Sequence, residues 1–502
     1  MNLASRLRAI VRAPSSPRRE LVYEPDPGGY KATLDVATMG AMLGGLPLST
    51  PFGECLVIDR RYEADRFHGH VRIEDCELQD AAGLQLLDPE LFGPAASSGC
   101  AERPAAPTVK RTLFIDLETT GLSGGAGTMA FLVGCGYFDL GAFQVRQFLL
   151  PSHAAERALL AAVAEFFAGA DLIVTYNGKT FDLPVMETRW LFHRMTPPLA
   201  GVPHFDMLHP ARRLWRARAP IGQGSGHDLP PTGEFQPGQS RLPGGGRAAV
   251  AGRRLGARSS QGAASGAPRY APDDREDDPG CCRLSTLERL LFEVRRVGDV
   301  PGLEVPGRFF TFVRTGDPRP LEPVLEHNRL DLVSLAAVTA RAARLAQQGP
   351  DECRDGCEAL ALGRVYERAG WSERAEACYR RAASAETREV RAEALFRLGL
   401  RYRRERRFEE AAEVWTTVLA WTAPGRGRRQ LEDLRRFAAE ALAIHLEHRR
   451  RDLPGARDHA LFALDESNPR RADGVRHRIS RLERKLAKAK SPGSENPGLL
   501  LP

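Results

Sequence analysis

The run LFIDLETTG, Leu113–Gly121, sets Asp116 and Glu118 two residues apart in an otherwise apolar stretch. On a strand that spacing sends both carboxylates from one face. Like charges so close raise each other's pKa unless something positive lies between them, and a buried charge needs a partner. On its own the pair reads equally as a strand-end charge pair. Three further groups are placed to join it. Asp182 closes NGKTFD and opens a helical stretch, and His327 and Asp331 in HNRLDLVSL are four apart, on one face of a later helix. Hard divalent cations, Mg²⁺ or Mn²⁺, prefer carboxylate oxygens and would supply the missing positive charge. Two such ions about 3.5–4 Å apart clamp the attacking and leaving oxygens of a phosphodiester. An imidazole beside them takes the proton of the attacking water.

These residues must be brought together by the elements that carry them. RTLFIDLE, AFLVGCGYF and AFQVRQFLL read as three strands, DLIVTYN as a fourth and HFDML as a short fifth. AAERALLAAVAEFFAG, ending in Gly169, has helical spacing. TFDLPVMETRWLFHRM after its start, HPARRLWRA and a long segment from about Pro320 to Gln348 read the same way. In CCRLSTLERLLFEVRR, Ser285 and Glu288 have the spacing of a capping box. This predicts an α/β domain over 106–348, with a mixed five-stranded sheet and flanking helices. Residues 1–105 form a leader in which PFGECLVIDRRY reads as a strand and PAASSGCAERPAAP as a linker. From about 220 to 280 the chain is rich in Gly, Pro, Ser, Arg and Ala without apolar period, a disordered insert by composition.

Beyond residue 355 the pattern repeats. Gly363, Tyr366, Ala375 and Tyr379 recur 36 residues later as Gly399, Tyr402, Ala411 and Trp415, and Glu440–Leu464 reads as a third, degenerate copy. The repeat resembles the tetratricopeptide type, in which small residues let paired helices pack closely. An all-α repeat domain over 355–468 and a basic tail over 469–502 follow.

With 502 residues and a net charge of +7, the chain is long enough for several domains and mildly basic, which suits a polyanion. Nine scattered cysteines point to a reducing compartment rather than a disulfide framework. No run of about eighteen apolar residues suggests a membrane span, and the basic first twenty residues lack the apolar stretch of a signal peptide. A cytoplasmic location is expected.

D-x-E on the first strand, N-x-x-x-F-D at Asn177–Asp182 and H-x-x-x-D on the last helix together resemble the three motifs of DEDD-type 3′–5′ exonucleases of the ribonuclease H-like fold. TPFGE, HPARRLW, LSTLE, VGDVPG and EHNRLDL narrow the resemblance to YprB-like ribonuclease H-like proteins, which also carry a leader and helical repeats. The resemblance implies that Asp116, Glu118 and Asp331 hold one ion, that Asp116 also touches a second with Asp182 behind it, and that His327 is the general base. It implies that Asn177 and the backbone around Thr120, Gly121 and Leu122 meet the terminal nucleotide. The implied activity is metal-dependent removal of nucleotides from the 3′ end of single-stranded DNA or RNA, with the repeats docking a protein partner. One departure stands out: the family has Tyr with three residues intervening before its last Asp, or His with four, and this chain has His at the tyrosine spacing. A binding module that grips nucleic acid without cutting is the alternative, and a repeat scaffold on a merely structural domain is a third.

Several other features have plainer readings. Asp206 reads equally as a substrate residue or a structural acceptor, and Lys179 as a phosphate contact or a solvated lysine. Phe114, Phe131, Phe138 and Phe148 are read as core. Cys353 with Cys357 lacks the matching pair a zinc site needs, and His68 with His70 reads as the surface of a strand or turn. LSGGAG lacks the lysine of a nucleotide P-loop.

Overall fold

The computed structural model describes residues 34–93, 109–121, 127–216, 282–421, 428–465 and 468–490. Its centre is a mixed sheet of seven strands: β1 (Leu46–Thr50), β2 (Gly53–Tyr62), β5 (Thr112–Thr119), β6 (Ala130–Asp139), β7 (Ala142–Leu149), β8 (Leu172–Thr175) and β9 (His204–Asp206), in the order β1-β2-β7-β6-β5-β8-β9. β5, β8 and β9 are mutually parallel and the other pairings antiparallel. A separate two-stranded ribbon joins β3 (Phe67–His68) to β4 (Val71–Arg72).

The five strands expected for the domain are all present, as is the leader strand expected in PFGECLVIDRRY, but the sheet has seven strands, not five. The leader supplies the other two as a hairpin that follows helix α1 (Val36–Leu43), with β2 laid antiparallel on β7. Asp59 and Arg146 face each other across that seam and pair at 2.7 Å. The α/β domain thus starts well before residue 106. The proposed insert lies wholly outside the described residues, as do the first 33 residues and the linker.

Helices cover both faces of the sheet. Leu113, Ile115 and Leu117 of β5 face α3 (Glu156–Phe167), α4 (Asp182–Phe192) and α7 (Val305–Thr315), in a core that includes Leu159, Trp190 and Phe309. Phe114 points the other way, into a second core shared with α2 (Ala82–Leu87), α5 (Leu208–Trp215), α6 (Leu284–Phe292) and α8 (Glu322–Gln348). α8 lies across β5, β6 and β7. Phe114, Phe131 and Phe148 are buried, as their strand positions require. Asp116 and Glu118 follow Phe114 in the two-residue alternation and so face α8.

α6 starts differently from its expected capping box. Its N-cap is Arg283 with no side-chain cap, Ser285 is exposed, and Glu288 is buried and turned toward Arg296 and Ser334. Partners elsewhere in the fold outbid the local cap for that carboxylate.

The remaining chain is helical: α9 (Gly356–Arg368), α10 (Ser372–Ala382), α11 (Arg388–Arg404), α12 (Phe408–Leu419), α13 (Arg428–His445), α14 (Leu453–Ala463) and α15 (Pro469–Lys490). A π-turn at Leu446–Arg450 ends α13. The recurrent glycines sit where paired helices touch: a β-carbon on Gly363 would stand 2.5 Å from the Tyr379 ring, and one on Gly399 2.1 Å from the Trp415 indole. The basic segment after 469, read as a tail, forms α15 and packs Val475, Ile479 and Leu482 against α13 and α14. No helix among the described residues is long and apolar enough to cross a membrane.

Candidate active site

The carboxylates sit at the end of β5, where the register with β6 shifts between Glu118 and Thr119. Such bulges re-aim side chains at the rim of a sheet. Asp116 is fixed from α8: Asn328 Nδ2 donates to the Asp116 carbonyl at 3.1 Å and to its carboxylate Oδ2 at 2.8 Å. Asn328 is itself fully buried and oriented by Gln147 of β7, whose amide donates to Asn328 Oδ1 at 2.9 Å and to the Leu325 carbonyl at 2.8 Å. A buried amide whose donor and acceptor ends are both engaged holds one orientation.

The electrostatics register how close the acidic groups are. Burial, then the charges of Asp331, Glu118 and Asp182, push the Asp116 carboxyl well above the usual range, against the Asn328 hydrogen bond. Glu118 is pushed up to about 8 by burial and by Asp331, Asp182 and Asp299, with His327 opposing. Asp182, buried at the start of α4, is pushed up to about 7 by burial and Asp206. Asp116, Glu118, Asp182 and Asp331 thus share one field, although they come from β5, α4 and α8.

Positive groups meet that field from one side. Arg296, whose side chain is 6% exposed, reaches Glu288 at 2.8 Å, Asp299 at 3.3 Å and Asp331 Oδ1 at 2.5 Å. His327 Nδ1 lies 2.6 Å from Asp299 Oδ1, and its Nε2 lies 3.5 Å from Asp331 Oδ2. Burial works to lower the His327 pKa, but the Asp299 hydrogen bond and the charges of Asp331 and Glu118 push it up to about 9. Behind Arg296, Glu288 accepts from Ser334 Oγ, and Ser334 meets His68 Nε2 at 3.0 Å. Burial, then the charges of Arg296 and Arg66, bring His68 down to about 4, so a neutral ring closes this relay. His68 is therefore a buried link from the leader to α8, while its neighbour His70 is exposed.

The loop after β8 explains Asp206. Its carboxylate accepts from the backbone N–H groups of Asn177 at 2.8 Å, Lys179 at 3.1 Å and Leu208 at 3.1 Å, so it is a structural acceptor that shapes the approach to Asp182. Asn177 has φ +70° and is exposed, its amide oxygen accepting from Thr180 Oγ1 at 2.9 Å. Lys179 pairs with Asp88 at 3.2 Å. On the β5 side, Thr120 N–H donates to the Met129 carbonyl and its hydroxyl accepts from Met129 N–H, while Gly121 O accepts from Thr119 Oγ1. Leu122 lies outside the described residues. Cys353 is buried and Cys357 half-buried, away from this site among the first repeat helices.

Among the described residues, no three His, Cys, Asp or Glu side chains stand in a metal-coordinating arrangement. Asp331 Oδ1 meets Arg296 and Asp116 Oδ2 meets Asn328. The donor set nevertheless suits a hard cation. Every candidate ligand is a carboxylate, and Asp116 carries the repulsion of three others. Sequence reasoning missed Arg296, Asp299, Glu288 and Asn328. Asp299 stands in VGDVPG, Glu288 in LSTLE and Asn328 in EHNRLDL, so the segments were visible. No spacing rule assigns a role to residues whose partners lie on other elements.

Comparison with known proteins gives a family match and a relative. The RNase_H superfamily profile matches residues 113–223 and 270–343, which include Asp116, Glu118, Asp182, Asp299, His327 and Asp331. The chain is also 27% identical over 380 residues to the Uncharacterized protein YprB of Bacillus subtilis (strain 168), covering 74% of this chain and 75% of that protein. The seven-stranded sheet with its helices is consistent with a ribonuclease H-like fold, which points to nuclease-type chemistry.

Proposed function

We propose that this chain is a metal-dependent 3′–5′ exonuclease acting on single-stranded nucleic acid. The observation that carries the reading is the common field of Asp116, Glu118, Asp182 and Asp331, with His327 at its edge. Asp116, Glu118 and Asp331 would hold one Mg²⁺ or Mn²⁺ ion, and Asp116 with Asp182 a second. When bound, these ions supply positive charge that polarises the scissile phosphodiester and acidifies the attacking water. The protein's own part is to aim the carboxylates, through Asn328 on Asp116 and Asp206 behind Asp182. The charges of Asp331 and Glu118 help to hold His327 protonated, and His327 would accept a proton once bound ions offset those charges; the exposed Asn177 with the Thr120–Gly121 edge borders the terminal nucleotide. The repeats, read as tetratricopeptide-type, would dock a protein partner.

A second reading has one observation in its favour. Arg296 holds Asp331 at 2.5 Å, and a guanidinium there supplies charge that a cation would otherwise bring. A domain that binds nucleic acid without cutting it would be built this way. Digestion of 3′- and 5′-labelled DNA and RNA oligonucleotides with Mg²⁺ or Mn²⁺ separates the two. Laddering from the 3′ end, lost in Asp182→Ala, is the expected result. Binding without laddering would support the second reading, and full cutting by Asp182→Ala would reject the site assignment.

A further inference from the structure

His327 and Asp299 form a pair that the nuclease reading does not use. Asp299 lies in the loop between α6 and α7, and its Oδ1 accepts from the Val300 N–H at 2.9 Å and meets His327 Nδ1 at 2.6 Å. Its other oxygen meets Arg296 at 3.3 Å. An ionised carboxylate has no proton to give, so the short contact to His327 requires the hydrogen on Nδ1. Burial opposes ionisation of Asp299, but the His327 hydrogen bond and the charges of His327 and Arg296 hold its carboxyl below the usual range. With Nδ1 committed, the lone pair of neutral His327 can only be on Nε2, the nitrogen 3.5 Å from Asp331 Oδ2 and on the carboxylate side of the ring.

We propose that Asp299 is a positioning residue that selects Nε2 of His327 as the proton-accepting atom. The inference rests on the nuclease reading for its chemistry, but the pairing can be tested without it. The arrangement answers the altered spacing noted in the sequence. A histidine four residues before Asp331 shares its helix face, and a carboxylate from a separate loop then sets which ring nitrogen is turned to the site. Asp299 touches no reacting atom and acts through the imidazole, as the orienting carboxylate does in other histidine-based sites. Arg296 and the Val300 N–H brace it, so the imidazole is held from behind by a fixed group.

Two measurements test this. In the first, the full chain is labelled with ¹⁵N-histidine and its imidazole signals are recorded above about pH 9, where the His327 ring is neutral, the His327 resonances being those lost in His327→Gln. The wild type is expected to show the Nδ1–H tautomer, and Asp299→Ala a mixture or the Nε2–H form. An Nε2–H tautomer in the wild type overturns the proposal whether or not the protein cuts nucleic acid. In the second, oligonucleotide cleavage is measured for Asp299→Ala, Asp299→Asn, His327→Gln and the double variant Asp299→Ala/His327→Gln. Asp299→Ala should lose about 10²-fold in kcat, the scale of acid–base catalysis, with KM nearly unchanged. Asp299→Asn keeps an acceptor oxygen and should lose less. The double variant should fall no further than His327→Gln, because both act on one proton transfer. Multiplying losses, or a change in KM alone, would overturn the positioning role. If Asp299→Ala does not fold, Asp299→Asn and the wild-type tautomer decide the matter. A wild type that binds but never cuts would sink the nuclease reading and leave the tautomer result standing.

Discussion

A β-carbon on Gly134 would stand 2.2 Å from Oδ1 of Asn328, so the bare backbone at that point of β6 is what lets Asn328 lie across the sheet and reach Asp116. The carboxylate at the centre of the site depends on a side chain that is missing from its direct neighbour on the adjacent strand, under α8.

Gly134→Ala should therefore disturb Asn328 before anything else. Overpacking a filled core costs about 1–3 kcal/mol, and Asn328→Leu, which takes from the Gln147 amide one of its two acceptors and leaves it the Leu325 carbonyl, costs about 1–3 kcal/mol by loss of buried hydrogen bonds. Chemical denaturation should show both losses. If Gly134→Ala is as stable as wild type and keeps its response to Mn²⁺, Asn328 does not aim Asp116.

Divalent cations should raise Tm in the wild type. A ligand at a hundred times its Kd stabilises by about 2.7 kcal/mol. Asp116→Asn removes the carboxylate shared by both proposed ions and should abolish the rise while leaving the fold intact. Equal rises in both proteins would place the cations elsewhere.

Arg296→Met tests the brace behind Asp331. Glu288 is 1% exposed, and removing its guanidinium partner leaves a buried acid short of charge. Breaking such a pair costs about 3–5 kcal/mol. Adding Glu288→Gln should recover part of the loss, since an amide in that place needs no counter-charge. Urea unfolding of the single and double variants measures both effects.

Glu447 gives the helical region an acid-sensitive joint. It is buried at the end of α13 and meets Arg481 at 2.7 Å, Lys485 at 2.8 Å and Arg478 at 3.4 Å, all from α15. Burial raises its pKa, but the hydrogen bonds from Arg481 and Lys485, with the charges of Arg481 and His448, hold it down at about 2. The unfolded value is about 4.3. A lowered folded pKa means the contribution is fully present above about 4.3 and is lost as the pH falls toward 2. Glu447→Gln should flatten this acid limb. The pH dependence of thermal unfolding checks it, and an unchanged limb would assign the acid sensitivity to other carboxylates.

The sheet strands that carry strong apolar patterns were legible. β5 to β9 could be read because their residues are β-branched or aromatic and bounded by turn residues, and the helices because Leu159, Val163 and Phe167 or Leu284, Leu287 and Leu291 keep one face. β1 was not, because all but its last residue are exposed at the edge of the sheet and show no alternation. Asp116, Glu118, Asp182, His327 and Asp331 were visible as charges at element ends. Their supports were not. Asn328, Asp299 and Arg296 act through partners up to 212 residues distant, and nothing local marks such a contact. The Ser285–Glu288 spacing erred for the same reason, a tertiary ion pair overriding a local cap.

The junction between the α/β domain and the helical array also constrains how the molecule can be divided. Trp215 at the end of α5 donates its indole N–H to Glu358 of α9 at 2.8 Å, and Arg341 of α8 meets the same carboxylate at 3.0 Å. Tyr366 reaches back to the Ala346 carbonyl at 2.7 Å, and one apolar core runs from Phe114 to Leu442. A scissor cut near Gly349 would not yield two self-sufficient folding units. It would strip Trp215 of its acceptor and open a greasy wall on each half, so the array is part of the scaffold that keeps α8, and with it Asn328, His327 and Asp331, in place.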